Sequence, residues 1–274
     1  MKGICFYLIH NNSCDRIYLR GRLKNLSNNL SIDLIEIYKQ RNNFKKKITF
    51  KDKFKILKIY FLRIFYILKH KKDLSFNFYF FKLKSFFYFI NSSIKLFLKN
   101  KDDSLKTYQH IKIEELVTQK HIRAWEHFLK SKKEIMVIFE DDAICKTDSE
   151  IRLKYFFNQL NNIDFDNFFI DFAGGLDPND VIPKRKIKKS NFEFMIVKGI
   201  YSNTACSYLI NRNLVKQLYR EYQRSKLNRS FPIDHLINKL GLTINKTTNI
   251  FSIHFHKPLF THGSFKGNIK SWQV

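Results

Sequence analysis

Five residues, Ile135-Met136-Val137-Ile138-Phe139, followed at once by Glu140-Asp141-Asp142, constrain this chain more than any other stretch. An apolar run rich in β-branched and aromatic side chains suits a strand buried on both faces of an α/β sheet. The acids then stand where that strand emerges, and in an open α/β sheet the carboxyl ends of strands border the ligand crevice. Three adjacent carboxylates repel one another unless a cation or hydrogen bonds compensate, and the simplest compensation is a divalent ion that takes oxygen ligands, Mn²⁺ or Mg²⁺. Alternate side chains of an extended chain share a side, so Glu140 and Asp142 are the expected metal ligands. A solvated acidic strand end is the plainer alternative.

With 274 residues, 44% of them apolar, the chain can bury a sizeable core, which argues against disorder. Its formal charge of +26 implies an anionic partner: nucleic acid, a membrane surface or a phosphorylated substrate. Cys5, Cys14, Cys145 and Cys206 are widely scattered without ligand-like spacing, as in a cytosolic protein with reduced thiols. The apolar run Gly3–Ile9 is short for a signal peptide, and no later run is long enough to span a bilayer.

In order, Gly3–Ile9 reads as a buried strand and His10–Arg16 as the loop leaving it, followed by a helix over Arg20–Leu30 and a strand over Ile32–Tyr38. Asp15 and Arg16 suit either an ion pair or, through the guanidinium, a phosphate contact. Residues 44–101 carry sixteen Lys and Arg against Asp52 and Asp73, among many Phe, Tyr, Ile and Leu. At 100° per residue, Lys51, Lys55, Lys58 and Lys69 share one helical face, and Lys84, Lys95 and Lys99 share another. The pattern predicts a basic amphipathic hairpin that either lies on an anionic membrane or packs on the core with its lysines solvated.

Ile113–Lys130 is patterned as a helix with His121 on its apolar stripe, pointing inward; an inward histidine is more often a hydrogen-bonded core residue than a catalyst. A helix capped by Thr147 or Asp148 runs to Leu160, and a buried strand over Phe168–Phe172 carries Asp171 and closes on Gly174. Lys184–Lys189 reads as a basic loop. Phe194–Val197 and Ala205–Ile210 read as strands, Asn211 as the cap of a helix to Tyr222, and Pro232-Ile233-Asp234 as the start of a helix ending at Gly241. A last strand, Ile250–Phe255, carries His254, and His256, Lys257, His262, Ser264 and Lys266 follow.

From Glu114 onward these pieces resemble glycosyltransferase family 25. His121-Ile122-Arg123-Ala124-Trp125 is similar to the family's Ser-His-x-x-x-Trp element, Glu140-Asp141-Asp142-Ala143 to its acidic strand end, Cys206-Ser207-Tyr208-Leu209-Ile210 to its Ala-Tyr-x-Ile-Ser strand, and Pro232-Ile233-Asp234 follows in the same order. Gly3–Arg16 is a looser counterpart of its opening strand with an Asp-Arg pair. The family's Gly-Glu-x-Gly-Cys is absent, with Glu115-Leu116-Val117-Thr118-Gln119 in its place, and residues 44–101 have no counterpart.

The resemblance implies a single GT-A type domain over 1–274, a Rossmann-like mixed sheet with flanking helices, within which the basic helical stretch 44–101 is an insertion. It implies an inverting transfer from a nucleotide sugar, a UDP-hexose such as UDP-galactose, to a lipooligosaccharide or other surface glycan. Glu140 and Asp142 would hold Mn²⁺ or Mg²⁺, and Asp234 would be the base, with Asp141 and Asp171 as competitors. His10, Asn11, Arg16, His121, Gly174, His254, His256, His262, Ser264 and Lys266 would serve the donor. The chain would work in the cytoplasm, peripheral on the inner face of the membrane, without nucleic acid. Three alternatives remain open: a metal-independent transferase using a CMP-sugar, a metal-dependent nuclease or phosphatase, and a non-catalytic membrane-binding protein.

Overall fold

The computed structural model describes residues 3–12, 14–38, 47–69, 101–160, 165–174, 185–189 and 192–263, with the single positions 87 and 91. The expected second amphipathic helix around Lys84–Lys99, Ser264 and Lys266 lie outside the described residues.

Ten strands are described: β1 (Ile4–His10), β2 (Leu34–Tyr38), β3 (Ile135–Glu140), β4 (Ala143–Cys145), β5 (Phe168–Asp171), β6 (Arg185–Lys189), β7 (Phe192–Lys198), β8 (Ser207–Asn211), β9 (Phe251–Phe255) and β10 (Phe260–His262). Eight of them form one mixed sheet in the order β2-β1-β3-β8-β5-β9-β7-β6, and β4 pairs with β10 in a separate ribbon. β1, β2 and β3 run parallel, as do β5 and β9, while β8 and β7 run against their neighbours. The described helices are α1 (Ile17–Asn29), α2 (Phe50–Lys69), α3 (Lys101–Lys130), α4 (Ser149–Gln159), α5 (Arg212–Gln223) and α6 (Ile233–Ile244).

Because both faces of the sheet are covered, the central strands are apolar at every position rather than at alternate ones. Phe6, Val137, Phe139, Ile170 and Leu209 face one layer with Leu23 and Leu26 of α1 and Leu153, Phe156 and Phe157 of α4. Tyr7, Met136, Ile138, Phe169, Tyr208 and Ile210 face the other, under Trp125 and Phe128 of α3, Leu214 and Leu218 of α5, and Leu236 and Ile237 of α6. This is the Rossmann-like α/β architecture expected from the sequence, and it brings the carboxyl ends of β1, β3, β5 and β9 to one edge.

Four expectations are corrected. Lys184–Lys189 contains β6, paired antiparallel with β7, rather than a loop. α3 begins at Lys101, about three turns before the expected Ile113, because Tyr108 and Ile111 are buried against Ile56, Ile59, Tyr60 and Ile64 of α2 rather than against the sheet. Gly241 does not end α6; a Cβ there would lie 2.9 Å from Ile200 Cβ, so the glycine admits a close neighbour inside the helix. Asn211 occupies the position before α5 but makes no side-chain cap; its amide instead donates to Asp166 O at 2.7 Å.

Candidate active site

The acids sit where β3 leaves the sheet. Ile9 of β1 is in register with Glu140, and Ser207 of β8 with Phe139. Backbone bonds fix the exit: Glu140 N donates to Cys206 O at 2.7 Å, and Asp141 N to Ile9 O at 3.0 Å. The β4–β10 ribbon folds over this end, with His262 in register with Ala143 and Gly263 N donating to Asp142 O at 2.9 Å. Sequence-distant residues are thus held around Asp142 by main-chain geometry.

His121 points inward as its stripe predicts, and it ends a chain of hydrogen bonds. Trp125 Nε1 donates to Tyr208 Oη at 3.1 Å, Tyr208 Oη lies 3.0 Å from His121 Nδ1, and His121 Nε2 lies 2.9 Å from Glu140 Oε1. Indole N–H can only donate, so the Tyr208 oxygen accepts there, and its own proton is free to be donated to His121 Nδ1. In that tautomer the imidazole proton is on Nε2, facing Glu140. Burial, with help from the Lys120 charge, holds His121 down to about 3, so the ring is neutral.

The three acids differ. Asp141 is fully buried and accepts from Arg16 Nη1 at 2.6 Å. Arg16 thus forms an ion pair with Asp141 and also comes within 4.0 Å of Asp142. Asp142 Oδ2 lies 3.7 Å from His262 Nδ1, and ligand atoms of Asp142, Cys206 and His262 lie within 4.8 Å of one another. Glu140 is raised to about 7, by burial first and by the charge of Asp142 second.

Glu140 and His121 give opposite pH signs. The raised Glu140 favours the folded state below its ordinary 4.5, and that contribution is lost as pH rises through about 7. The depressed His121 contributes above its ordinary 6.5, and that contribution is lost as pH falls toward about 3. Metal-free thermal unfolding of the wild type and Glu140→Gln is expected to show the variant gaining relative midpoint as pH rises from 4.5 to about 7.

Other candidates lie along the same edge or away from it. Asp171 Oδ1 accepts from Ala173 N at 2.9 Å and Gly174 N at 3.1 Å, shaping the turn after β5. Gly174 has φ +63°, and a Cβ there would sit 2.1 Å from Pro258 Cγ, so the glycine admits the chain between β9 and β10. His254 is buried, 3.1 Å from Ser252 Oγ and 3.7 Å from Asp171 Oδ2, and His256 follows β9 half-buried. His10 is turned toward β2, stacked on Tyr38 with Asn12 N donating to Nδ1 and Nε2 3.0 Å from Glu36 Oε2. Asn11 accepts from the buried Lys120, whose ammonium also donates to His10 O at 2.7 Å. Asp234 stands in the first turn of α6, its side chain 19% exposed, and its charge raises the affinity of His121 for a proton.

Tyr208, Lys120 and Cys206 escape a reading of single positions. The family-like strand containing Tyr208 and Cys206 was the only available signal, and a lysine beside an apolar stripe reads as solvated. Among the described residues, Asp141 Oδ2, Asp171 Oδ2, Ser207 Oγ and His254 Nδ1 are buried without a hydrogen-bond partner. Buried polar atoms are ordinarily satisfied, so such a gathering near one sheet edge marks a place built for a ligand, ion or water.

Carboxylates, imidazoles and buried cations are collected at the carboxyl edge of this Rossmann-like α/β sheet, the edge at which open α/β sheets bind their ligands. Residues 118–237 match the model of glycosyltransferase family 25 (LPS biosynthesis protein), and over that stretch the chain is similar to the glycosyltransferases of that family. No curated protein gives a significant match.

Proposed function

We propose that this protein is a glycosyltransferase, a GT-A type, single-domain enzyme that moves a hexose with inversion from a UDP-sugar such as UDP-galactose. Its acceptor is a lipooligosaccharide or other surface glycan, reached in the cytoplasm at the inner face of the membrane through residues 44–101. The observation that carries this reading is the convergence of Glu140, Asp142 and His262 at the end of β3, with Asp234 placed to act on His121 electrostatically.

The donor set suits a divalent ion. Asp142, Cys206 and His262 would hold it, with Glu140 beside them on the same strand end, and imidazole and thiol beside carboxylate shift the preference from Mg²⁺ toward Mn²⁺ or a softer ion. Such an ion would neutralise the departing diphosphate. Asp234 is the best base of the three acids proposed. Asp141 is spoken for by Arg16, and Asp171 is fully buried and shapes a turn, whereas Asp234 reaches solvent. Arg16, Asn11, His254 and His256 line the same edge for the nucleotide, with His121 orienting Glu140.

One observation favours a second reading, a CMP-sugar handled without metal: Arg16 and Lys120 already place two cations inside the acid cluster. A thermal-shift panel of UDP-sugars, CMP-sugars and oligonucleotides, each with and without Mn²⁺, separates these readings because bound ligand raises apparent stability. Stabilisation by UDP-sugars that requires Mn²⁺ is expected. Stabilisation by CMP-sugars alone, indifferent to metal, would replace it with the second reading, and a response to oligonucleotides only would refute both.

A further inference from the structure

α2 has three distinct faces. One is clamped to the body: Ile56, Ile59, Tyr60 and Ile64 pack with Tyr108 and Ile111 of α3. Arg63, 1% exposed, donates to Glu114 Oε2 at 2.8 Å and to Ser230 O at 2.9 and 3.0 Å. A buried guanidinium bonded to two partners fixes the rotation of the helix about its axis.

On another face, Phe50, Phe54, Phe61 and Phe65 are 69%, 53%, 60% and 66% exposed. At 100° per residue the four lie within an arc of about 60°, and Phe50 to Phe65 extends about 22 Å along the helix. The exposed Lys51, Lys55 and Lys58 occupy the adjoining arc. Singly exposed apolar residues are ordinary, but a continuous aromatic row on a helix whose orientation is locked marks a contact surface.

The bordering charge identifies the occupant. Phenylalanine rings enter the boundary between lipid headgroups and acyl chains, while ammonium groups one arc away reach anionic headgroups. Among the described residues no helix is long and apolar enough to cross a membrane. We propose that the Phe50, Phe54, Phe61 and Phe65 row, bordered by Lys51, Lys55 and Lys58, seats the protein on an anionic lipid bilayer. The proposal deepens the reading of a membrane-borne acceptor and rests on it for its purpose, although lipid binding is measured without any sugar.

The test is co-sedimentation of the full chain with vesicles of phosphatidylethanolamine and phosphatidylglycerol, against vesicles of phosphatidylcholine alone. Variants Phe61→Ser/Phe65→Ser and Lys51→Glu/Lys55→Glu/Lys58→Glu are compared with the wild type, with unfolding midpoint and light scattering recorded for each. Wild-type binding to anionic vesicles only, weakened at least about tenfold by either variant at unchanged midpoint, is expected. Undiminished binding by both variants overturns the proposal. So does a phenylalanine variant that lowers the midpoint, which would mean that the chain covers its own rings, or one that only dissolves an oligomer, which would make a second copy the occupant. Vesicle binding that survives a negative donor panel leaves the surface standing while the catalytic reading fails, and the converse separates them equally.

Discussion

Exchanging Asp234 for asparagine is expected to lower turnover by about 10²–10⁴-fold while leaving donor affinity within a few-fold, the signature of a lost general base. Asparagine preserves size and hydrogen-bonding reach but cannot take the proton of an acceptor hydroxyl. The position suits the role. Pro232 sets the chain direction just before α6, and Asp234 follows in its first turn, beside the positive end of the helix dipole. His235 Nε2 comes within 3.9 Å of Asp234 Oδ2. Steady-state kinetics with separate determination of donor affinity checks the prediction, and unchanged turnover in the variant would move the base elsewhere.

The largest structural effect is expected at Arg63. Arg63→Ala should destabilise the protein by about 3–5 kcal/mol, because removing one partner of a buried pair leaves the other charge uncompensated. Glu114 would be that charge: burial pushes its carboxyl up, yet Arg63 and His110 hold it below its ordinary value. Ser230 O would lose two donors at once. Denaturant unfolding measures the loss, and the double variant Arg63→Met/Glu114→Gln should recover part of it, since the two residues act as one unit. A loss under about 1 kcal/mol in Arg63→Ala would show that α2 is held by its apolar face alone.

What could be read from the sequence was local. An apolar β run ending on three acids identifies a central strand and its functional end, and the 3.6-residue stripe of α3 gives the inward direction of His121. Partners could not be read this way. Arg16 and Asp141 are 125 residues apart, and His121 and Tyr208 87 apart, so their pairing depends on strand order rather than on spacing. β6 is not legible because Arg185–Lys189 shows no apolar alternation; the backbone ladder with β7 is what makes it a strand. In α2 the lysine face was legible, but the remaining apolar positions looked alike. Only the packing of Ile56, Ile59 and Ile64 on α3 separates them from the exposed phenylalanine row.

Calorimetric titration of UDP-galactose into the protein with Mn²⁺ present, repeated with Asp142→Ala, asks most directly whether the β3 acids grip an activated sugar. Saturable binding to the wild type, weakened at least about tenfold to a hundredfold in the variant, is the predicted result. Equal affinity in the two proteins, or no heat from any nucleotide sugar with the wild type, would contradict the account.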